Sequence, residues 1–222
     1  MIIDIKYINL CEVKSELYLF SKTMHRRTFL ALGVPAVTAW RRPSILYHDS
    51  VPSIKAILFD AFSIFDPSHI ALMAGRLFPG KGPELIREWR TRQFEYAWLR
   101  SMTHCYVDFQ TITSDALDYA TQLLKMDISP RQHQQLVDGF FELSVWPEVP
   151  LVLGELTKEG YRLGILSNFT PEMLRVNTNG NRITGYFENL ISVDSVKRYK
   201  PERKSSLIAT RGSHSHFPYS HG

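Results

Sequence analysis

Ile54-Lys55-Ala56-Ile57-Leu58-Phe59-Asp60 decides how the rest of the chain is read. A short apolar run that ends in a carboxylate suits a buried parallel strand delivering Asp60 at its C-terminal edge, where open α/β sheets bind their ligands. Downstream the pattern turns helical, over 69–78, over a long 83–103 stretch rich in Trp, Arg, Glu and Leu, over 113–125, and over 130–142 behind Ser129-Pro130. No strand pattern interrupts these. Pro147 and Pro150 close the block, a helix over 149–159 ends at Gly160, and Arg162-Leu163-Gly164-Ile165-Leu166 reads as a second buried strand with Ser167-Asn168 at its tip. Thr170-Pro171-Glu172 combines a capping residue with a first-turn proline and starts another helix. Leu190-Ile191-Ser192-Val193 is the third strand, with Asp194 at its end and Lys200-Pro201 in the following loop. The expected fold is α/β, a parallel sheet interrupted by a helical block.

The 222 residues carry 44% apolar and 22% charged side chains, which excludes disordered, collagenous and coiled-coil readings. The net charge of +4 resides in the ends. Residues 197–222 hold six Lys/Arg against one acidic residue, residues 1–53 hold seven against four, and 54–196 holds 13 against 17. The central region therefore offers no basic field to nucleic acid. Cys11 and Cys105 are too few for a disulfide framework and lack the paired spacing of a structural zinc site. From Met24 the chain shows Arg26-Arg27, an 11-residue mostly apolar run over Phe29–Ala39 and small residues at its end, the anatomy of a signal peptide over 24–39. Arg26-Arg27-Thr28-Phe29-Leu30 resembles the twin-arginine export signal, so a periplasmic or exported protein cleaved near Ala39 is expected. The run is well short of the about 20 residues that span a bilayer, so no membrane anchor is expected. Residues 1–23 read as upstream sequence or an extension. The plainer alternative is a surface extension with a chance arginine pair on a cytoplasmic protein.

Asp60, Ser167-Asn168 and Lys200-Pro201 stand at three strand tips that a folding requirement alone does not explain. A carboxylate can act as a covalent nucleophile, a hydroxyl and an amide can hold an anionic partner, and a lysine can hold such a carboxylate in its charged form. Each residue alone carries little, because a strand-end Asp is more often a helix cap, Ser-Asn a turn and Lys-Pro a solvated loop.

Taken together, Phe59-Asp60-Ala61-Phe62, Leu166-Ser167-Asn168 and Tyr199-Lys200-Pro201 resemble the haloacid dehalogenase superfamily. Five further stretches resemble the cap helices of its L-2-haloacid dehalogenase branch: Phe78-Pro79-Gly80-Lys81-Gly82, Trp89-Arg90, Glu95 through Ser101, Tyr106-Val107-Asp108-Phe109 and Asp115 through Tyr119. The likeness runs from about 54 to 203. It implies a Rossmann-like core over 54–66 and 148–203, with an inserted four-helix cap over 67–147. It also implies hydrolytic dehalogenation of short L-2-haloalkanoic acids to D-2-hydroxy acids through an aspartyl ester, with no cofactor or metal. On this resemblance Asp60 is the nucleophile, Arg90 serves the leaving halide or substrate anion, and Lys200 stands beside the nucleophile. Ser167 and Asn168 orient the substrate carboxylate, while Phe62, Thr91, Phe94 and Phe109 line an apolar pocket. For Arg90 the plainer reading is an exposed ion pair, and for the aromatics it is bulk core. The cap helices could also pair two chains.

The residue chemistry agrees with the branch. Phosphatases of the superfamily place a second Asp two residues after the nucleophile to protonate an alkoxide leaving group, and here that position is Phe62. Halide leaves without a proton. A phosphatase is therefore the poorer alternative, since the missing carboxylate also weakens a Mg²⁺ site. Three departures from the family stand out. Ser63-Ile64 replaces the usual Gly-Thr, which removes a hydroxyl near the nucleophile, and Phe169 replaces a small residue, which could narrow the anion pocket. Beyond Arg203 the likeness stops, whereas family chains continue with a Tyr and a Ser-Ser-Asn-x-Trp-Asp stretch that completes the pocket. The expectation is thus a core lacking its last strands, a disordered tail over 204–222 whose His214, His216 and His221 bind no metal, and an inactive remnant or partner-binding protein as the non-enzyme alternative.

Overall fold

The computed structural model describes residues 56–202 and Ser205. Among these residues, three parallel strands form the main sheet in the order β1-β4-β5: β1 (Ala56–Phe59), β4 (Arg162–Ser167) and β5 (Asn189–Ser192). A second, antiparallel ribbon pairs β2 (Phe65–Asp66) with β3 (Ser144–Val145) through Phe65 opposite Val145 and Asp66 opposite Ser144. The stretches expected to be a signal peptide (24–39), an upstream extension (1–23) and a disordered tail (204–222) lie outside the described residues, except for Ser205, which is buried.

β4 is the middle strand and the only one of the three with a nearly continuous buried run. Its Gly164 is paired with Leu58 on one side and Asn189 on the other. A Cβ at this position would lie 2.6 Å from Leu58 Cδ2 and 3.2 Å from the Asn189 carbonyl oxygen, so any side chain here would displace that of Leu58 and crowd β5. β1 was expected to be buried, but all four of its residues are half-buried, because it lies at the edge of the sheet that the described residues form.

Between β2 and β3 runs a helical insertion made of α2 (Ser68–Leu77), α3 (Gly82–Met102), α4 (Phe109–Leu123), α5 (Pro130–Asp138) and a 3₁₀ turn (Gly139–Phe141). A single short turn, α1 (Ala61–Ile64), separates β1 from β2. Sequence periodicity starts α4 at 113, but the helix begins four residues earlier because Asp108 caps it, accepting from the Thr111 N–H at 2.8 Å. The last helix of the insertion ends at Asp138 rather than 142, where Gly139 opens the 3₁₀ turn. The two-residue ribbon strands escaped sequence reading because they are too short to show a period.

α3 and α4 form the heart of the insertion. Leu85, Trp89, Gln93 and Ala97 bury one face of α3 against Ile112, Thr113, Ala116 and Ala120 of α4. Trp89 Nε1 donates to the Thr113 carbonyl oxygen at 2.7 Å, and Gln93 Nε2 donates to Thr113 Oγ1 at 2.7 Å. These bonds fix the rotation of α3, and with it the direction of every side chain on its other faces.

After the insertion, α6 (Val149–Lys158) ends as expected at Gly160, whose φ of +83° favours glycine, with the Tyr161 N–H closing back on the Leu156 carbonyl at 3.1 Å. α7 (Pro171–Gly180) starts at the capping Thr170, whose Oγ1 accepts from the Met173 N–H at 3.1 Å. It also anchors the exit of the insertion. Buried Asn177 donates Nδ2 to the Phe140 carbonyl at 2.8 Å and accepts from the Leu143 N–H through Oδ1 at 2.8 Å. Replacing Asn177 with Ala leaves both buried backbone groups unpaired, so the unfolding free energy should fall by about 2–5 kcal/mol in a denaturant titration.

Candidate functional site

β1 delivers Asp60 to the C-terminal edge of the sheet, and the carboxylate has two occupations there. Oδ1 accepts from the Phe62 N–H at 2.9 Å and caps α1, which realises the plain reading of a strand-end Asp. Oδ2 contacts the Lys200 ammonium, which realises the other reading. Lys200 also donates Nζ to the Leu166 carbonyl at 2.7 Å, and its backbone N–H donates to Asn168 Oδ1 at 3.0 Å. The three tips named by the sequence therefore converge. The Lys200 side chain is 10% exposed and that of Asp60 40%, so the cation is enclosed while its partner remains open to a small molecule.

Ser167 ends β4 and is buried, with Oγ accepting from the Phe169 N–H at 3.0 Å. Asn168 is half-buried, and among the described residues its Nδ2 makes no hydrogen bond. Ile64 is buried and supplies no hydroxyl, so the Phe62 N–H and Lys200 are the carboxylate's hydrogen-bonding partners among the described residues.

Arg90 comes to the site from α3. Because Trp89 is locked onto α4, the next residue turns toward the sheet, and the guanidinium carbon lies 4.4 Å from the Phe62 ring centroid and 5.6 Å from that of Phe94. Among the described residues the guanidinium has no carboxylate within ion-pair distance and no hydrogen-bond acceptor, so the exposed-ion-pair reading does not hold. Burial lowers its pKa while the charge of Asp60 raises it; an arginine so placed stays cationic. Two cations thus feel the charge of one carboxylate.

The expected apolar lining is only partly realised. Phe62 is half-buried beneath Arg90. Phe94 sits one helical turn beyond Arg90 and is 47% exposed. Thr91 is exposed, because it lies about 100° around α3 from Arg90 and so leaves the face that Arg90 and Phe94 share. Phe109 is core rather than pocket wall: it is buried and packs on Phe169 and Phe140 at ring-centroid distances of 5.4 and 6.3 Å.

Phe169 itself is completely buried. It meets Phe62 edge to face at 5.2 Å and Phe140 at 6.4 Å, so its ring joins the core instead of narrowing an open pocket. Ser192 Oγ donates to its carbonyl at 2.6 Å. A surface cleft of about 800 Å³ lies beside this centre, bounded by Tyr106, Asp108, Thr170, Asp194 and Lys197, and does not include Asp60. Sequence reading gives Phe169 only a narrowing of the anion pocket, and gives Tyr106, Asp194 and Tyr199 no role at the site. Only the position of Tyr199 next to Lys200 hinted at one.

Residues 104–214 match the family described as haloacid dehalogenase-like hydrolase. Over 157 residues the chain is 38% identical to the (S)-2-haloacid dehalogenase of Pseudomonas sp. (strain YL), covering 70% of this chain and 68% of that one. The chain belongs to the haloacid dehalogenase-like hydrolase family. Within that family, a crystal structure of an L-2-haloacid dehalogenase superposes with a TM-score of 0.71 at 37% identity, covering 72% of this chain and 73% of that one. The L-2-haloacid dehalogenase of Xanthobacter autotrophicus with chloropropionic acid covalently bound superposes with a TM-score of 0.67 at 31% identity, covering 72% and 64%. This haloacid dehalogenase-like chain spans about two thirds of the length of the curated relatives it matches.

The buried ring of Phe169 supports both the Ser167-Asn168 turn and Phe62. Its replacement by Ala should lower the unfolding free energy by about 3–5 kcal/mol, seen as a lower denaturant midpoint.

Proposed function

We propose that this protein hydrolyses the carbon–halogen bond of short L-2-haloalkanoic acids, giving D-2-hydroxy acids. One observation carries the reading: the Asp60 carboxylate contacts the Lys200 ammonium and its charge reaches the Arg90 guanidinium, which has no anion of its own among the described residues. A carboxylate nucleophile, a cation for the departing anion and an aromatic floor at Phe62 are what displacement of halide requires. The relative from Xanthobacter autotrophicus with chloropropionic acid covalently bound supports a covalent route.

In this mechanism an Asp60 carboxylate oxygen attacks C2 from the side opposite the halogen. The C–O bond forms as the C–X bond breaks, the configuration inverts, and the halide leaves with its electron pair toward Arg90. In this reading Asn168, with Nδ2 uncommitted among the described residues, and the Ser167 hydroxyl orient the substrate carboxylate. Water then adds to the carboxyl carbon of the aspartyl ester, the 2-hydroxy acid departs, and one proton is released per turnover as the Asp60 carboxylate is restored. No acid is needed for the leaving group, which fits Phe62 where a phosphatase would place a second Asp. The proposal also includes export through the arginine pair at 26–27 and pairing of two chains through the exposed side of α3, where Phe94, Trp98 and Met102 are displayed. Among the described residues no helix is long and apolar enough to cross a membrane.

Chloride release from L-2-chloropropionate by the full chain, with no metal added, tests the chemistry. Wild-type protein should release chloride, and Asp60→Asn should lose more than about a thousandfold in kcat. Absence of chloride together with Mg²⁺-dependent hydrolysis of a phosphate ester would favour the phosphatase reading instead. Export is checked by cell fractionation: replacing both Arg26 and Arg27 with Lys should retain the protein in the cytoplasm.

A further inference from the structure

Lys200 belongs to no strand, although its Nζ and backbone N–H bond to Leu166 and Asn168 at the end of β4. β5 ends at Ser192, a 3₁₀ turn runs over Val193–Val196, and Lys197 adopts a left-handed conformation with φ +52° before the chain returns to Asp60. The segment is fastened from the other side, by the insertion. The Tyr199 N–H donates to Ser101 Oγ at 2.9 Å, and Tyr199 Oη donates to the Val107 carbonyl at 2.8 Å. Tyr106 Oη donates to Asp194 Oδ1 at 2.9 Å, while Lys197 Nζ pairs with the same oxygen at 2.8 Å and lies 5.2 Å from the Tyr106 ring centroid. The two tyrosine rings stack at 5.0 Å with planes 32° apart, and Tyr199 is completely buried.

We propose that Tyr106 and Tyr199 are positioning residues that clamp the Lys200 segment to the last turn of α3 and the loop beyond it. Through this clamp one helix places both cations of the site. Arg90 and Ser101 lie on the same α3, about 16 Å apart along its axis. A movement of α3 that withdraws Arg90 therefore also pulls on the segment that carries Lys200. Burial pushes both phenols well above the usual tyrosine range, with Asp194 adding to the effect at Tyr106, so both remain protonated donors at neutral pH. The consequence for catalysis rests on the dehalogenase reading above, whereas the clamp itself is a matter of geometry.

The test uses the full chain and two variants that cut separate ties, Tyr106→Phe and Ser101→Ala. Competitive acetylation with acetic anhydride, followed by mass spectrometry, reads the reactivity of Lys200 against exposed Lys158 in the same sample. Lys200 reactivity should rise about fivefold in each variant, the change in local opening expected on loss of one hydrogen bond, with Lys158 unchanged. On L-2-chloropropionate, kcat should fall about tenfold with KM within about twofold, the signature of a misplaced group in the reacting complex. Unchanged Lys200 reactivity in both variants overturns the clamp, and so does an equal rise at every lysine, which marks general loosening. The labelling result holds whether or not the protein turns over haloacid. A wild-type chain that labels as expected but releases no chloride overturns the proposed function and leaves the clamp standing.

Discussion

An ammonium enclosed by protein stands only if its charge and its donors are answered, and Lys200 is enclosed to all but a tenth of its side chain. Its Nζ reaches the Asp60 carboxylate and the Leu166 carbonyl, and its backbone N–H reaches Asn168. This contact constrains three separate stretches of chain at once. β1 must end where Asp60 can turn one oxygen to its own helix cap and the other to the lysine. β4 must end with a free carbonyl and an amide facing the same point. The chain beyond β5 must then fold back across the sheet edge, and the Ser192 hydroxyl, donating to Phe169 and accepting from the Asp194 N–H, shapes that return.

The second charge depends on packing remote from the site. Trp89 and Gln93 both bond to Thr113, and these contacts decide which way α3 is rolled. Once that is fixed, Arg90 must lie over Phe62 and Thr91 must face water, since neighbouring residues on a helix point about 100° apart. Beneath Arg90, the aromatic group of Phe62, Phe169, Phe109 and Phe140 links the insertion to the sheet. The guanidinium therefore rests on a stiff apolar floor, and desolvation there works against its charge while Asp60 works in its favour. A third, anionic participant would relieve that imbalance, which is the physical sense in which this arrangement asks for a small anion.

Much of this was legible in order along the chain. The apolar run before Asp60, the Ser167-Asn168 tip and Lys200-Pro201 were found because a strand that ends abruptly in polar residues is visible in one dimension. Helix ends marked by chemistry, such as Thr170-Pro171 and Gly160, fell where expected. Apolar periodicity alone places the start of α4 at 113, whereas the capping carboxylate of Asp108 starts it at Phe109. Residue type and motif place Phe109 and Thr91 near the site, but not on the face of the helix that each occupies. The β2–β3 ribbon left no trace in the pattern, because two residues cannot display an alternation.

The sequence by itself determined the α/β class, the place of the helical insertion, and the three polar tips with Asp60 among them, since each follows from local apolar period, capping residues and motif. The tertiary structure alone decided that Arg90 lies over Phe62, within reach of the Asp60 charge and without an ion-pair partner among the described residues, that Phe169 belongs to the core, and that Tyr106 and Tyr199 hold the lysine segment. Those outcomes depend on the roll of one helix against another and on hydrogen bonds between residues some ninety positions apart, as from Tyr106 to Asp194 and from Tyr199 to Val107. Pairings at that distance are set by how packed elements meet, and that information is absent from any local stretch of the chain.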